Sequence, residues 1–361
     1  MTDELFGPRH GAPVEDEKPR KSRGKKIGII VLSSLLVLML AGAATAFFYL
    51  NSLRNAYEES VHTLDPEETF PEERPERPTR TEVDEDGNEV EVEDQQLNIL
   101  LIGYDVGGGS GESENLAWVP NAGRADTMMW IHIPHERDSV QVMSIMRDTW
   151  VTIPGHGEHK INAAFSLGGT ATAVHTLESL FGVRIDHVAA VNMYGFQDIV
   201  STLGGVTVNS PVAFTSRDGY QYHGGPQYMN ASEALSFVRE RRAFDGGDYQ
   251  RVANQQAFVR GVIGEVLTPG TLANPARVHN LVSGFSPYMT VDQGLGDADY
   301  LAEIGWDMRN VRNSDIEFFT LPNNGIGSAG GQSVIWPNYG AIAEAGEAMR
   351  EGWFDEYASQ R

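Results

Sequence analysis

Residues 97–103 read L-N-I-L-L-I-G, a short apolar run that ends in glycine. A strand with one wet face alternates apolar and polar residues; a run apolar at successive positions is covered on both faces, as inside a sheet packed on two sides. Asp105 stands just past its end. The segments after it set the class. Residues 128–133 and 139–145 are strand-like, with a polar turn at 134–138 between them, a hairpin pattern. Residues 161–181 have helical spacing, with Asn162 placed as a cap. A strand at 187–191, a helix at 194–203 closed by Gly204-Gly205, and a strand at 206–208 come next. Asn230 is placed to cap a helix over 231–238, and a long helix is expected over 249–267. Further helices over 271–282, 297–308 and 339–349, and a strand over 316–321, complete the set. Strands alternating with helices give an α/β domain built in layers. No internal repeat and no second boundary divides residues 97–361.

The chain has 361 residues, 41% of them hydrophobic, and a formal net charge of −23. A balance that acidic argues against nucleic acid as a partner, because DNA binding needs a basic footprint. There is no cysteine, so disulfides and thiolate metal sites are excluded. The charge is unevenly spread. Lys18, Arg20, Lys21, Arg23, Lys25 and Lys26 form a basic block, and residues 27–50 after it carry no charge. That apolar length crosses a hydrocarbon core of ~30 Å at ~1.5 Å per residue. The expectation is a cytoplasmic tail over 1–26, an uncleaved transmembrane helix over 27–50 with Phe47, Phe48 and Tyr49 at the outer interface, and everything beyond it outside the cell membrane. A cleavable signal peptide would be shorter than this run. Residues 51–96, rich in Glu and Asp and holding Pro66, Pro71, Pro75 and Pro78, read as an extended acidic stalk.

The densest polar stretch is 237–256, F-V-R-E-R-R-A-F-D-G-G-D-Y-Q-R-V-A-N-Q-Q. On a helix, Asp248, Arg251 and Gln255 fall at i, i+3 and i+7 and share a face. Arg239 and Arg241 lie two apart, so they point the same way only if the chain leaves its helix there and runs extended. Gly246-Gly247 offers the break. The pattern is a helix, a glycine turn and a second helix, with guanidinium groups converging on one spot. Guanidinium forks suit phosphate oxygens. For a charge run taken alone, a surface helix pair laced with ion pairs is the simpler explanation.

Other polar groups stand at strand ends and loops, where open α/β sheets place their sites: Asp105, Asp126, Arg147 with Asp148, and Lys160, which is expected to open a helix. Two carboxylates without cysteine suit a hard cation held by oxygen, namely magnesium, manganese or calcium. Arginines with metal-binding acids are the complement of a site for pyrophosphate chemistry. His156-Gly157-Glu158-His159 is not H-E-x-x-H, the glycine run 107–111 lacks the lysine and serine of a P-loop, and no G-x-S-x-G elbow is present. His132, His175, His187 and His223 read as ordinary core or surface residues.

These stretches carry a resemblance. L-N-I-L-L-I-G-Y-D (97–105), R-A-D-T-M-M (124–129), S-I-M-R-D-T-W-V (144–151), H-K-I-N-A-A-F (159–165), D-I-V-S-T-L-G-G-V (198–206), A-L-S-F-V-R-E-R (234–241) and D-Y-Q-R-V-A-N-Q-Q (248–256) resemble, in order, the motifs of the LytR-CpsA-Psr family of bacterial cell-envelope proteins. The resemblance implies a single α/β/α domain around a mixed sheet, here the extracytoplasmic catalytic domain over 97–361. It implies a magnesium-dependent phosphotransferase (manganese as a substitute) that moves a glycopolymer from a polyprenyl-pyrophosphate carrier onto peptidoglycan, with polyprenyl phosphate leaving. Asp105 and Asp126 would hold the metal. Arg147, Arg239, Arg241 and Arg251 would clamp the pyrophosphate, with Asp248 and Gln255 orienting the arginines and phosphate and Lys160 at the rim. The lipid tail would enter an apolar pocket in the core. Two departures stand out: Val106 and glycines come after Asp105 where the family usually has an arginine, a contact Arg124 could replace, and Met146 precedes Arg147 where proline is frequent. Asp126 and Asp148 are the candidates for taking the acceptor's proton. Two other functions use the same residues: a non-catalytic polymer-binding or pyrophosphatase module of envelope assembly, and a membrane-linked transcription regulator, which the charge and topology disfavour. Arg242 and Asp245 keep the surface reading.

Overall fold

The structure, a computed structural model, describes residues 23–84, 86–105 and 124–361. The chain divides into two units, Met1–Asn51 and Ser52–Arg361. The helix Arg23–Glu58 takes in the apolar stretch 27–50. Among the described residues no helix is long and apolar enough to cross a membrane. Residues 1–22, 85 and 106–123, the last including the glycine run 107–111, lie outside the described residues, as do the side chains of 23–38.

In the second unit, seven strands form one sheet in the order His62–Leu64, Met289–Asp292, His187–Asn192, Leu97–Asp105, Arg124–Ile133, Val140–Ile145, Ile316–Thr320. Leu97–Asp105 is central, antiparallel to Arg124–Ile133 and parallel to His187–Asn192, so the sheet is mixed. Its continuous apolar character reflects two covered faces. Leu100, Ile102 and Tyr104 are fully buried in a cluster with Phe165, Leu177, Ile342, Met349 and Phe354 from the helices Ala163–Phe181, Tyr339–Glu351 and Phe354–Ser359. Leu97, Ile99 and Leu101 pack on the other face with Ile263 and Ile304 from Gly247–Val266 and Ala298–Asp307. Each such side chain contributes roughly 1.5–3 kcal/mol by leaving water. The outcome is the expected α/β/α layering.

The hairpin at 134–138 and the helix Ala231–Arg239 form as expected. Asn230 accepts from the Ser232 and Glu233 backbone while the Glu233 side chain reaches back, a capping box. Several expectations change. Asn162 stands at the start of Ala163–Phe181 but makes no side-chain cap. Lys160 ends the strand Gly157–Lys160 instead of opening a helix. The single helix expected over 271–282 is two, Pro269–Leu272 and Pro275–Phe285, because Pro275 cannot donate within a helix and the Asn274 side chain starts a new one by accepting from Ala276 and Arg277.

The largest correction concerns residues 51–96, which are not an extended stalk. His62–Leu64 is the edge strand, parallel to Met289–Asp292, and Leu64 belongs to the core. The Tyr57 hydroxyl donates to the Leu295 carbonyl at 2.6 Å. Arg74 stacks over Phe70 at 4.2 Å and forks onto Glu178, a fully buried acid, at 2.6 and 3.0 Å. Arg77 pairs with buried Asp186 at 2.8 Å. The acids of the segment dominate its composition but stay at the surface, while its few apolar and cationic residues dock. Thr79–Val83 and Glu89–Glu93 then pair as a separate hairpin.

Candidate active site

The first half of the site is built by an irregularity in the sheet. Gly103 stands opposite Thr127, but Tyr104 stands opposite Ala125, so Asp126 has no partner on the central strand. It is the extra residue of a β-bulge, the device that re-aims a side chain at the end of a ladder. The parity of the core agrees: Ala125 and Met128, three apart, lie in the same cluster, which regular alternation forbids. Asp126 is therefore freed from the pleat and forms an ion pair with Arg147. Asp105 pairs in backbone register with Arg124 at the same end of the sheet; the side chains of both lie outside the described residues.

Arg147 sits in the turn after Val140–Ile145. Met146 anchors that turn: its side chain is buried with Val252 and Ile335, and its carbonyl accepts from Thr149 N at 3.0 Å and Thr149 Oγ1 at 2.6 Å. The residue that departs from the family's proline thus fixes Arg147 by packing. Asp148, next along, pairs with Lys160 at 3.2 Å. Both candidate proton acceptors, Asp126 and Asp148, are engaged by cations.

The second half is the arginine stretch. The helix Ala231–Arg239 stops at Glu240, whose φ −67° and ψ 131° are extended, so Arg239 and Arg241 project to one side as their spacing requires. Glu240 also fixes the turn beyond the helix. Its Oε1 accepts from the backbone N–H of Arg241, Arg242 and Ala243 at 2.9, 2.7 and 3.1 Å, and its Oε2 accepts from Arg217 N at 2.6 Å. Burial works against this charge, but the four donors prevail and hold the carboxyl below its ordinary value. Gly247 begins the next helix where a Cβ would meet the Arg241 carbonyl at 3.0 Å, so the glycine permits the tight return.

Asp248 gathers the cations. Its Oδ1 lies 2.7 Å from Arg241 Nε and 3.1 Å from Arg251 Nη1, while Arg241 Nη2 donates to its Oδ2 at 3.1 Å. The Oδ1 contacts are ion pairs without hydrogen-bond angles. Arg251 is only 5% exposed. Burial pushes its pKa down to about 10, Asp248 opposes this, Arg147 and Arg241 add to it, and Asp126 opposes it. Met146, beside Arg147, packs on Val252, beside Arg251, so the strand-end pair and the helix pair are neighbours and their charges act on Arg251. Among the described residues, Arg147 Nε and Arg251 Nε are buried donors with no acceptor. Oxygens of an anion would complete them, and a buried donor left unmade costs about 1–3 kcal/mol.

Gln255 behaves differently from the expectation. It is buried, and its amide faces the Val238 carbonyl at 3.4 Å, so it joins the two helices and does not reach for a ligand. Arg239, exposed, lines with Arg241 a cleft of about 890 Å³ that also takes in Arg217, Arg242, Asp218 and Asp245. Arg217 and Glu240 escaped the sequence reading. Arg217 comes from a distant loop, and Glu240 sits among arginines where nothing local separates a buried tether from a solvated charge. The side chains that could wall an apolar pocket near Arg239, such as Phe237 and Phe258, are themselves buried, and the Phe196 and Phe258 rings stack at 4.1 Å. Among the described residues no three His, Asp or Glu side chains form a metal cluster, His156 and His159 included. The two strand-end carboxylates remain a donor set of hard oxygens, the type a magnesium ion takes.

Known proteins share this stretch of chain. The LytR_cpsA_psr family model matches residues 57–350, which includes the segment docked before the central strand. The chain is 29% identical over 282 residues to the polyisoprenyl-teichoic acid–peptidoglycan teichoic acid transferase TagU of Enterococcus faecalis, covering 78% of this chain and 84% of that one. It is 27% identical over 323 residues to the cell wall biosynthesis protein LcpA of Corynebacterium glutamicum, covering 76% of this chain and 61% of that one. The crystal structure of B. subtilis TagV superposes with a TM-score of 0.59 at 21% identity, over 73% of this chain and 98% of that one, a likeness of fold.

Proposed function

The chain belongs to the LytR-CpsA-Psr family, and on that premise we propose that it is a phosphotransferase that moves a glycopolymer from a polyprenyl-pyrophosphate carrier onto a sugar hydroxyl of peptidoglycan. The observation that carries this reading is the group at Arg251. Among the described residues, Arg147 pairs with Asp126, Arg241 and Arg251 pair with Asp248, and two of these guanidinium groups keep a buried N–H without an acceptor. A pyrophosphate would supply both the missing acceptors and the missing negative charge. The relatives named as polymer transferases support the choice of substrates.

In the transfer, the acceptor hydroxyl gives its proton to a strand-end carboxylate, Asp126 or Asp148, its oxygen attacks the phosphorus that bears the polymer, and the bond from that phosphorus to the bridging oxygen breaks. Polyprenyl phosphate leaves. Charge builds on the non-bridging and leaving oxygens, and preorganised guanidinium groups lower that barrier because they need no rearrangement. Arg251, buried and held by Asp248, is the most rigid of them; Arg241 and Arg239 reach the ligand from the cleft side, and Arg147 from the strand end. Asp105 and Asp126 would hold magnesium, which supplies Lewis-acid neutralisation of the phosphoryl oxygens when bound. We further propose that residues 27–50 anchor the chain in the cell membrane with the domain outside, where both substrates lie.

The test is the purified full chain in detergent, given a polyprenyl-pyrophosphate-linked oligosaccharide, peptidoglycan fragments and magnesium. Transfer is expected, and its loss in Arg251→Ala. Donor that binds without turnover under any divalent metal would assign the chain to non-catalytic polymer binding, and full activity in Arg251→Ala would remove the site.

A further inference from the structure

The cleft beside Arg239 and Arg241 is larger than a pyrophosphate needs. At about 890 Å³ it lies near the upper end of the ~300–1,000 Å³ typical of ligand pockets. Two of its cations, Arg217 and Arg242, have no place in the clamp just described. They come from separate loops, yet one buried carboxylate fixes both: Glu240 accepts from Arg217 N on Oε2 and from Arg242 N on Oε1. Both are exposed, and neither is joined to an acid among the described ion pairs. The lining also offers Gln197 and Ser232 for sugar hydroxyl groups and the ring of Tyr220 for an apolar sugar face, together with two exposed acids, Asp245 and Asp218, the latter accepting from Ser236 Oγ at 3.1 Å. Because the cleft shares Arg239 and Arg241 with the clamp, an occupant of it is continuous with the pyrophosphate.

We propose that Arg217 and Arg242 form a second anion subsite, which holds a phosphate or carboxylate carried on the donor's sugar chain next to the pyrophosphate. This rests on the transferase reading and narrows it: the chain selects polymers that are anionic near their linkage end. Exposed guanidinium pairs on a flexible rim bind little; here the backbone of both loops is pinned, so less freedom is lost when an anion is gripped.

Titration calorimetry on the full chain tests it with three probes: inorganic pyrophosphate, a short-chain lipid pyrophosphate bearing a disaccharide with one phosphate substituent, and the same compound without that phosphate. Wild type is expected to prefer the charged compound by about tenfold, the worth of one charge-assisted bidentate contact. Arg217→Ala/Arg242→Ala is expected to bind both compounds alike while keeping its affinity for inorganic pyrophosphate, which also shows that it is folded. Equal binding of the two compounds by wild type, or a preference that survives in the double variant, overturns the subsite. If wild type binds none of the three probes, the transferase reading itself fails, a separate outcome from loss of the preference alone.

Discussion

Asp248 and Arg251, three residues apart on one helix, face each other at 3.1 Å with 15% and 6% of their side chains exposed. The same carboxylate takes Arg241 from beyond the glycine turn. Removing one partner of a buried pair leaves an uncompensated charge and costs about 3–5 kcal/mol. Asp248→Ala should therefore lower the thermal midpoint strongly. Inorganic pyrophosphate, by replacing the lost negative charge, should raise that midpoint more in the variant than in wild type. Scanning calorimetry with and without the ligand decides, and equal increments in both proteins would count against an anion site at Arg251.

Glu178 makes the corresponding bond for the segment before the central strand. It is fully buried, receives Arg74 through two nitrogens and also accepts from Ile185 N at 2.9 Å. Glu178→Gln leaves the Arg74 charge without its acid and should cost about 3–5 kcal/mol, read as a lower urea midpoint. Limited proteolysis should then cut within 66–78 first, because that segment loses its anchor. A detached acidic stalk would be cut equally in both proteins.

His132 should make the domain acid-sensitive. It is buried against Phe354, its Nδ1 lies 2.9 Å from Asn98 Oδ1, and that oxygen also accepts from Trp130. Burial first, and Arg137 second, push its pKa down to about 3 from 6.5. The unfolded chain takes up a proton below its own higher pKa while the folded one does not. Stability is thus fully present above pH 6.5 and is lost between there and about 3, by ~1.4 kcal/mol per pH unit from this group. His132→Gln should remove that slope from the pH dependence of the urea midpoint, whatever it does to the stability at neutral pH.

Glu240 acts through backbone, so its charge can be tested apart from its shape. Glu240→Gln keeps the size but turns one acceptor into a donor against N–H groups, at about 1–3 kcal/mol. Donor KM should rise several-fold, because the loops bearing Arg217, Arg241 and Arg242 loosen, with a smaller change in kcat. An unchanged KM with reduced kcat would assign Glu240 to the chemistry instead.

Much of this was legible in residues 97–103, where apolar character at successive positions allows only a strand covered on both faces, and in the two-apart spacing of Arg239 and Arg241. The docked segment was not, because composition averages over 51–96 while docking depends on a few residues, among them Tyr57, Leu64, Phe70, Arg74 and Arg77. Gln255 was misplaced for a related reason: i, i+3 and i+7 define a stripe, but a stripe can turn from ligand to neighbouring helix along its length. Arg217 was invisible, since its relation to Arg242 is made by a carboxylate that sits 23 residues away in sequence.

The bulge at Asp126 sets the interests of the sheet against those of the site. Deleting that one residue would restore an uninterrupted ladder between the two central strands, so the shortened chain should be as stable as the natural one or more so, and inert. The sheet gives up regular pairing at this point, and the acid leaves the pleat in exchange. Any search for thermostable variants of this protein that does not also select for polymer transfer should drift toward repairing that strand.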